Sequence, residues 1–256
     1  MAKQRADLML VQLGLVESRA RGQALIMAGL VYAGTARIAK PGDLLPPDAQ
    51  LSVKGQDHPW VSRGGVKLAH GLAHFGLDPA GRIGLDIGAS TGGFTDVLLA
   101  QGATKIYAVD VGHGQLAWKL RSDPRVIVLE KTNARHLDAG LIPEPIGALV
   151  CDASFIGLQI VLPAGLALCA PGAFAIVLIK PQFEAGPGQV GKGGVVRDAA
   201  IHEEVCARIA AWFAALPGWT VLGITPSPIK GPEGNIEFLL GAIRAGQDSG
   251  STASSA

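Results

Sequence analysis

Short apolar runs alternate with helix-length segments through most of the chain, and this alternation restricts the fold more than any other feature. From Arg63 onward a helix carrying Lys67 is followed by strand-like runs at Ile83 to Ile87, Lys105 to Val109, Val126 to Leu129, Ala148 to Val150 and Ala173 to Ile179. Runs that are apolar throughout suit strands covered on both faces. Their alternation with helices predicts an α/β domain built on a parallel, doubly wound sheet. A composition of 48% hydrophobic and 17% charged residues agrees with so much buried strand. A helix over about Asp198 to Leu216 and two further β segments, Thr220 to Ile224 and Ile236 to Ile243, complete the pattern.

The first part of the chain follows another pattern. Asp7 or a neighbour can start a helix that ends at Gly14, and Ser18 is a good N-cap for a second helix stopping at Gly29. Leu30 to Tyr32 and Gln50 to Val53 are strand-like, with turns at Ala33-Gly34 and Lys40-Pro41-Gly42. The expected division is a small α+β module over 1–57, a linker over 58–62, the main domain over 63–245 and a Ser-rich, disordered tail over 246–256. Although the net charge is only +1, residues 1–40 hold six Lys or Arg against two acids, an excess that suits a polyanion. Arg19 and Arg21 fall in the first turn of the second helix, where free amides and the helix dipole already favour phosphate. With Arg5 and Lys40 they are the candidate RNA contacts.

Several function classes are disfavoured. Cys151, Cys169 and Cys206 form no C-x-x-C pair, and His70 and His74, four apart on a helix, have no evident third ligand, so no metal and no disulfide is expected. The N-terminus has no apolar core of signal-peptide length, which predicts a cytoplasmic location. The uncharged stretch from Ala153 to Ile179 is long enough to span a bilayer and raises a membrane-active protein as a competing reading. Pro163 and Pro171-Gly172 divide it, however, into a helix-length piece and a strand-length piece, so a buried helix and a central strand are expected and no membrane partner.

The first strand of the main domain runs into Asp86-Ile87-Gly88-Ala89-Ser90-Thr91-Gly92-Gly93-Phe94, and Asp110 closes the next strand twenty-four residues after Asp86. Glycines let a ligand approach the backbone at a strand's carboxyl end, and an acid closing the next strand can accept from ribose hydroxyls. The spacing G-x-G-x-x-G is absent. An acid just before the first Gly favours a cationic amino-acid moiety over pyrophosphate, which points to S-adenosyl-L-methionine and away from NAD. Asp86, Gly88, Ser90, Gly92, Gly93, Phe94, Asp110, Val111, Asn133 and Asp152 make up the candidate cofactor set.

Asp152 and Lys180 end two neighbouring strands, and Glu237 opens the last one. Charges at the ends of apolar strands converge on the crevice of a doubly wound sheet, where they serve either as a salt bridge capping the sheet or as a catalytic group. Lys67, Asp152, Lys180 and Glu237 resemble the Lys-Asp-Lys-Glu set of the FtsJ-like ribose methyltransferases. Val61-Ser62-Arg63-Gly64-Gly65-Val66-Lys67-Leu68, Ala108 to Leu116, Asp152-Ala153-Ser154-Phe155-Ile156 and Lys180-Pro181-Gln182-Phe183-Glu184 are similar to the hemolysin A (TlyA) family within that group. The N-terminal strings Arg5-Ala6-Asp7, Gly14 to Arg19, Gly29-Leu30-Val31 and Lys40-Pro41-Gly42-Asp43 resemble an S-four-type RNA-binding domain.

The resemblance implies a Rossmann-like methyltransferase that modifies the ribose 2′-hydroxyl of cytidine in ribosomal RNA, with rRNA or ribosomal subunits as partners. Lys180 would act as general base or stabilise the developing alkoxide, and Asp152 and Glu237 would orient the lysines and the ribose. A noncatalytic RNA-binding assembly factor is the other reading, against which the intact four residues speak. The family's linker tetrapeptide Arg-x-Trp-Val is His58-Pro59-Trp60-Val61 here, and Trp60 also suits plain interdomain packing. The glycine-rich loop from Gln182 to Val196 is expected to be a mobile substrate lid.

Overall fold

The computed structural model describes residues 3–16, 18–54, 58–186 and 188–246. Its N-terminal part contains β1 (Gln4–Arg5), α1 (Ala6–Gln12), α2 (Arg19–Met27), β2 (Val31–Ala33), β3 (Ala36–Arg37), β4 (Leu44–Leu45) and β5 (Leu51–Val53). Strands β3-β2-β5 form one antiparallel sheet and β1-β4 a second. Ala6, Leu10, Val16, Ile26, Val31 and Ile38 bury one another in a core of their own. Helix α2 starts where expected because Ser18 Oγ accepts from Arg21 N at 3.2 Å, a cap worth about 1 kcal/mol. Helix α1 ends two residues before Gly14, whose left-handed φ of +67° brings it against the main domain: a Cβ there would lie 2.4 Å from Ala117 Cβ.

The main domain contains α3 (Gly64–Phe75), β6 (Ile83–Ile87), α4 (Gly93–Ala100), β7 (Lys105–Val109), α5 (Trp118–Arg121), β8 (Val126–Leu129), β9 (Ile146–Cys151), α6 (Leu158–Val161), α7 (Pro163–Ala167), β10 (Cys169–Ile179), α8 (Pro181–Glu184), α9 (Ala199–Ala214), β11 (Trp219–Pro226) and β12 (Phe238–Arg244). The seven-stranded sheet has the order β11-β12-β10-β9-β6-β7-β8. Strands β10, β9, β6, β7 and β8 pair in parallel, but β12 runs antiparallel to both neighbours, β10 and β11. The sheet is therefore mixed where a parallel one was expected.

Strand β10 shows why the sheet is stable. Phe174, Ile176 and Leu178 join the core on one face, and Ala175, Val177 and Ile179 the core on the other. This is the two-residue alternation of a pleated strand with both faces covered, and each fully buried Phe, Ile, Leu or Val contributes about 1.5–3 kcal/mol. On one side α3 lays Leu68 and Leu72 on the sheet, and Gly71 lets the helix approach so closely that a Cβ would lie 3.2 Å from Ile176 Cγ2.

Three further expectations are corrected. The helix-length piece after Asp152 is two short helices, because Pro163 starts α7 and cannot donate into a continuous helix. Pro171-Gly172 does not precede β10 but lies inside it, absorbed by a register shift between Cys169 and Phe174. Glu237 does not open β12; it lies one residue before it. The tail beyond Gly246 lies outside the described residues. Among the described residues no helix is long and apolar enough to cross a membrane.

Candidate active site

Lys67, on the buried side of α3, meets two acids from distant parts of the chain. Its Nζ donates to Glu237 Oε2 at 2.6 Å and lies 3.8 Å from Asp152 Oδ2. Glu237 is itself buried, and one of its oxygens lies over Gly231, where a Cβ would come within 2.1 Å of Oε1. Burial opposes the charge on Lys67, but the Asp152 and Glu237 carboxylates outweigh it and hold the amine above its ordinary value.

Lys180, at the end of β10, lies 2.7 Å from Asp152 Oδ1 and donates to Asp152 O at 3.1 Å and to Ser154 Oγ at 2.8 Å. The expected meeting of Asp152 and Lys180 at the carboxyl ends of adjacent strands is therefore observed, and Asp152 lies between the two lysines. The four residues form one chain of ion pairs, Lys180 to Asp152 to Lys67 to Glu237.

A cavity of about 260 Å³ opens beside this chain. It is lined by Lys67, Asp152 and Lys180 together with Gly88, Ser90, Gly93 and Phe94 of the glycine-rich loop. Glycine is needed in this loop: Gly88 has φ +81° and a Cβ there would lie 2.9 Å from the Ala153 backbone. Asp86, Gly92, Asp110, Val111, Asn133 and Glu237 do not line the cavity. Asp110 accepts from Ser90 N at 2.8 Å and from Gly112 N at 2.7 Å, so it shapes the loop. Val111 is exposed, and Asn133 caps a short helical turn by accepting from Arg135 N.

Asp86 is completely buried. Its Oδ2 accepts from Thr95 Oγ1 at 2.6 Å, while Oδ1 has no hydrogen-bond partner among the described residues. Burial pushes its carboxyl up to about 7 against the Thr95 bond, and the Asp152 and Asp110 charges push the same way. Leaving a buried acceptor unsatisfied costs about 1–3 kcal/mol. Such an orphaned oxygen beneath the loop fits a cationic ligand group.

Other residues of the site had no signal in the sequence that assigned them a role. Ser154, Arg63 and Lys230 line the cavity, and Arg63 Nη2 donates to Lys230 O at 2.7 Å, tying the loop before Glu237 to the start of α3. Asp96, an acid in the first turn of α4, accepts from Val61 N at 2.9 Å and pairs with Lys119 at 2.8 Å. Phe155 is 89% exposed, has a left-handed φ of +64°, and places its ring 4.9 Å from that of Phe183. Trp60 packs on α3: a Cβ at Gly65 would lie 2.3 Å from its Cγ.

The loop from Gln182 to Val196, expected to be a mobile substrate lid, has contacts at its C-terminal part. Gly191 bridges Val195, and Asn235 accepts from Val196 N at 3.1 Å and donates to Gly194 O at 3.0 Å. His202 Nε2 lies 3.0 Å from Val196 O. In the N-terminal part, Arg5 and Arg19 are both paired at 2.9 Å with the fully buried Asp7, which also accepts from Gln23, while Arg21 and Lys40 are exposed. Chiefly through its bonds from Arg5, Asp7 is held well below the usual carboxylate range. Among the described residues no group of His, Cys, Asp or Glu could hold a metal ion.

The sequence pattern of the FtsJ-like methyltransferases matches residues 60–244. The chain is 46% identical over 241 residues to the 16S/23S rRNA (cytidine-2′-O)-methyltransferase TlyA of Mycobacterium tuberculosis, covering 92% of this chain and 88% of that protein. It is 40% identical over 227 residues to hemolysin A of Brachyspira hyodysenteriae, covering 88% and 94%. A solved structure named as a candidate hemolysin from Streptococcus thermophilus is similar at 43% identity and TM-score 0.75, covering 96% of this chain and 90% of that one. With the ion-paired Lys-Asp-Lys-Glu chain at its cavity and these matches over nearly its whole length, the chain belongs to the hemolysin A (TlyA) family of FtsJ-like methyltransferases.

Proposed function

We propose that the chain is an S-adenosyl-L-methionine-dependent methyltransferase acting on the ribose 2′-hydroxyl of cytidine in ribosomal RNA, in the cytoplasm. The observation that carries this reading is the meeting of Lys67, Asp152 and Lys180 at one cavity walled by the glycine-rich loop, with Glu237 behind it. The name of the Mycobacterium tuberculosis relative supports the choice of substrate.

When bound, S-adenosyl-L-methionine supplies an electrophilic methyl on a sulfonium. Asp86, whose Oδ1 is orphaned, supplies the negative charge for a cationic amino-acid moiety, and Gly88 and Gly93 let the backbone close on it. Ser90 and Asp110 fix the loop, and Val111 and Asn133 complete the proposed cofactor set. Lys180 meets the ribose oxygen, where its amine relieves the hydroxyl of its proton or holds the negative charge as it develops. Asp152 aligns Lys180, and the Lys67–Glu237 pair holds Asp152 in turn. Positioning of this kind accounts for much of the rate of a two-substrate displacement.

The N-terminal part, residues 1–57, acts as an S-four-type RNA-binding domain, followed by the linker 58–62 and the catalytic domain 63–245. Arg21 and Lys40 offer free charge to phosphate, and Arg5 and Arg19 contribute the guanidinium edges left over from Asp7. The exposed Phe155 ring at the rim offers a base a stacking face.

The test is transfer of labelled methyl to 30S and 50S subunits lacking the modification, with Lys180→Ala as control and nucleoside mass spectrometry of the product. Label in 2′-O-methylcytidine that disappears with the variant is the expected result. Cofactor binding with no transfer to either subunit would overturn the reading in favour of an assembly factor.

A further inference from the structure

Ser154 plays no part in the chemistry above, yet its hydroxyl touches the residue at the centre of it. Lys180 has three N–H donors if charged. Asp152 O and Ser154 Oγ accept two of them, at 3.1 and 2.8 Å, while Asp152 Oδ1 lies 2.7 Å away as an ion-pair contact only. These acceptors are not equivalent. Asp152 O belongs to the backbone and is fixed where the chain leaves β9. Ser154 Oγ is the side-chain acceptor of the two; it lines the cavity and its bond to Lys180 is the shorter.

Its position is held from both sides. Before it stands Asp152, and after it Phe155 turns through a left-handed φ of +64°. Leu158 N, at the start of α6, donates to Glu184 Oε1 at 2.7 Å, and Glu184 follows Lys180 by one turn of chain. The loop bearing Ser154 and the segment bearing Lys180 are thereby tied at both ends.

We propose that Ser154 is a positioning residue for Lys180: by accepting one N–H of the amine it sets the direction from which Lys180 meets the ribose oxygen in the cavity. The inference rests on the reading of Lys180 as the group that meets the ribose hydroxyl.

The experiment compares wild type, Ser154→Ala, Ser154→Cys and Ser154→Thr in methyl transfer to unmodified subunits, with the cofactor Kd measured by calorimetry. Loss of the acceptor in Ser154→Ala and its weakening in Ser154→Cys should lower kcat roughly 10- to 100-fold, with RNA KM and cofactor Kd unchanged. Ser154→Thr, which keeps the hydroxyl, should recover most of the rate. A wild-type kcat in Ser154→Ala, or no recovery in Ser154→Thr when it folds as wild type does, would overturn the proposal. Failure of the functional reading is separate: wild type itself would then transfer nothing, or Lys180→Ala would remain active.

Discussion

Lys67 and Glu237 are 170 residues apart in the chain and 2.6 Å apart in the fold, and both are buried. Taking either charge out of water alone would cost several kcal/mol, and their pairing, with Asp152 beside them, offsets that cost. Lys67→Met leaves Glu237 buried without its partner and should destabilise the protein by roughly 3 to 5 kcal/mol in urea unfolding. The double variant Lys67→Met/Glu237→Gln should regain most of that stability while methyl transfer stays abolished. Equal stability of Lys67→Met and wild type would show that the pair is not buried as described.

Gly231 is required by the space Glu237 occupies. A Cβ there would meet Oε1 at 2.1 Å, so Gly231→Ala must displace the carboxylate from Lys67. The expected loss is about 10- to 100-fold in kcat, with a stability cost of about 1–3 kcal/mol. An unchanged kcat would mean that Glu237 moves without consequence for Lys67.

Asp86 makes cofactor binding depend on pH. Its carboxyl is pushed up to about 7, so it is protonated below that pH and charged above it. If the charged form holds the cationic moiety, the Kd for S-adenosyl-L-methionine should tighten as pH rises through about 7, and Asp86→Asn should bind weakly at every pH. Stability should run the other way. The folded state binds the proton more tightly than the unfolded one, so the contribution is fully present below the ordinary carboxyl pKa and falls by about 1.4 kcal/mol per pH unit up to about 7. Calorimetric titrations at several pH values, beside thermal unfolding of both proteins, check both slopes.

Arg19 and Arg21 are neighbours on α2 with different tasks. Arg19 is tied to the buried Asp7, whereas Arg21 is exposed. Arg21→Ala should weaken RNA binding and leave stability unchanged; Arg19→Ala should also destabilise the N-terminal part by about 1 to 3 kcal/mol, the range for a bond to a charged group. Because Asp7 is held below its ordinary range, this stabilisation is present above pH 4 and is lost as the pH falls below it. Equal stability of the two variants at pH 7 would contradict the role given to Asp7.

Strands β6, β7 and β8 were legible to the residue, because a strand buried on both faces leaves an unbroken apolar run that turn residues bound sharply. The same uniformity hid the structure after Asp152, where no polar face marks the break between α6 and α7. Asp152 and Lys180 could be brought together from the sequence because both end parallel strands. The direction of β12 could not, since nothing in an apolar strand records whether its neighbour runs with or against it. Ser154 and Gly231 lie where no periodicity applies, and only the packed fold shows what they and Asp96 touch.

The place of β12 has a consequence for how the enzyme comes into being. Because it inserts between β10 and β11, the sheet has a gap until residues 238–244 have left the ribosome. Glu237 arrives with that strand, so on a shorter nascent chain Lys67 keeps Asp152 at 3.8 Å but lacks its hydrogen-bonded partner. A chain that stops short of residue 237 therefore lacks one member of the charge network beside the cavity.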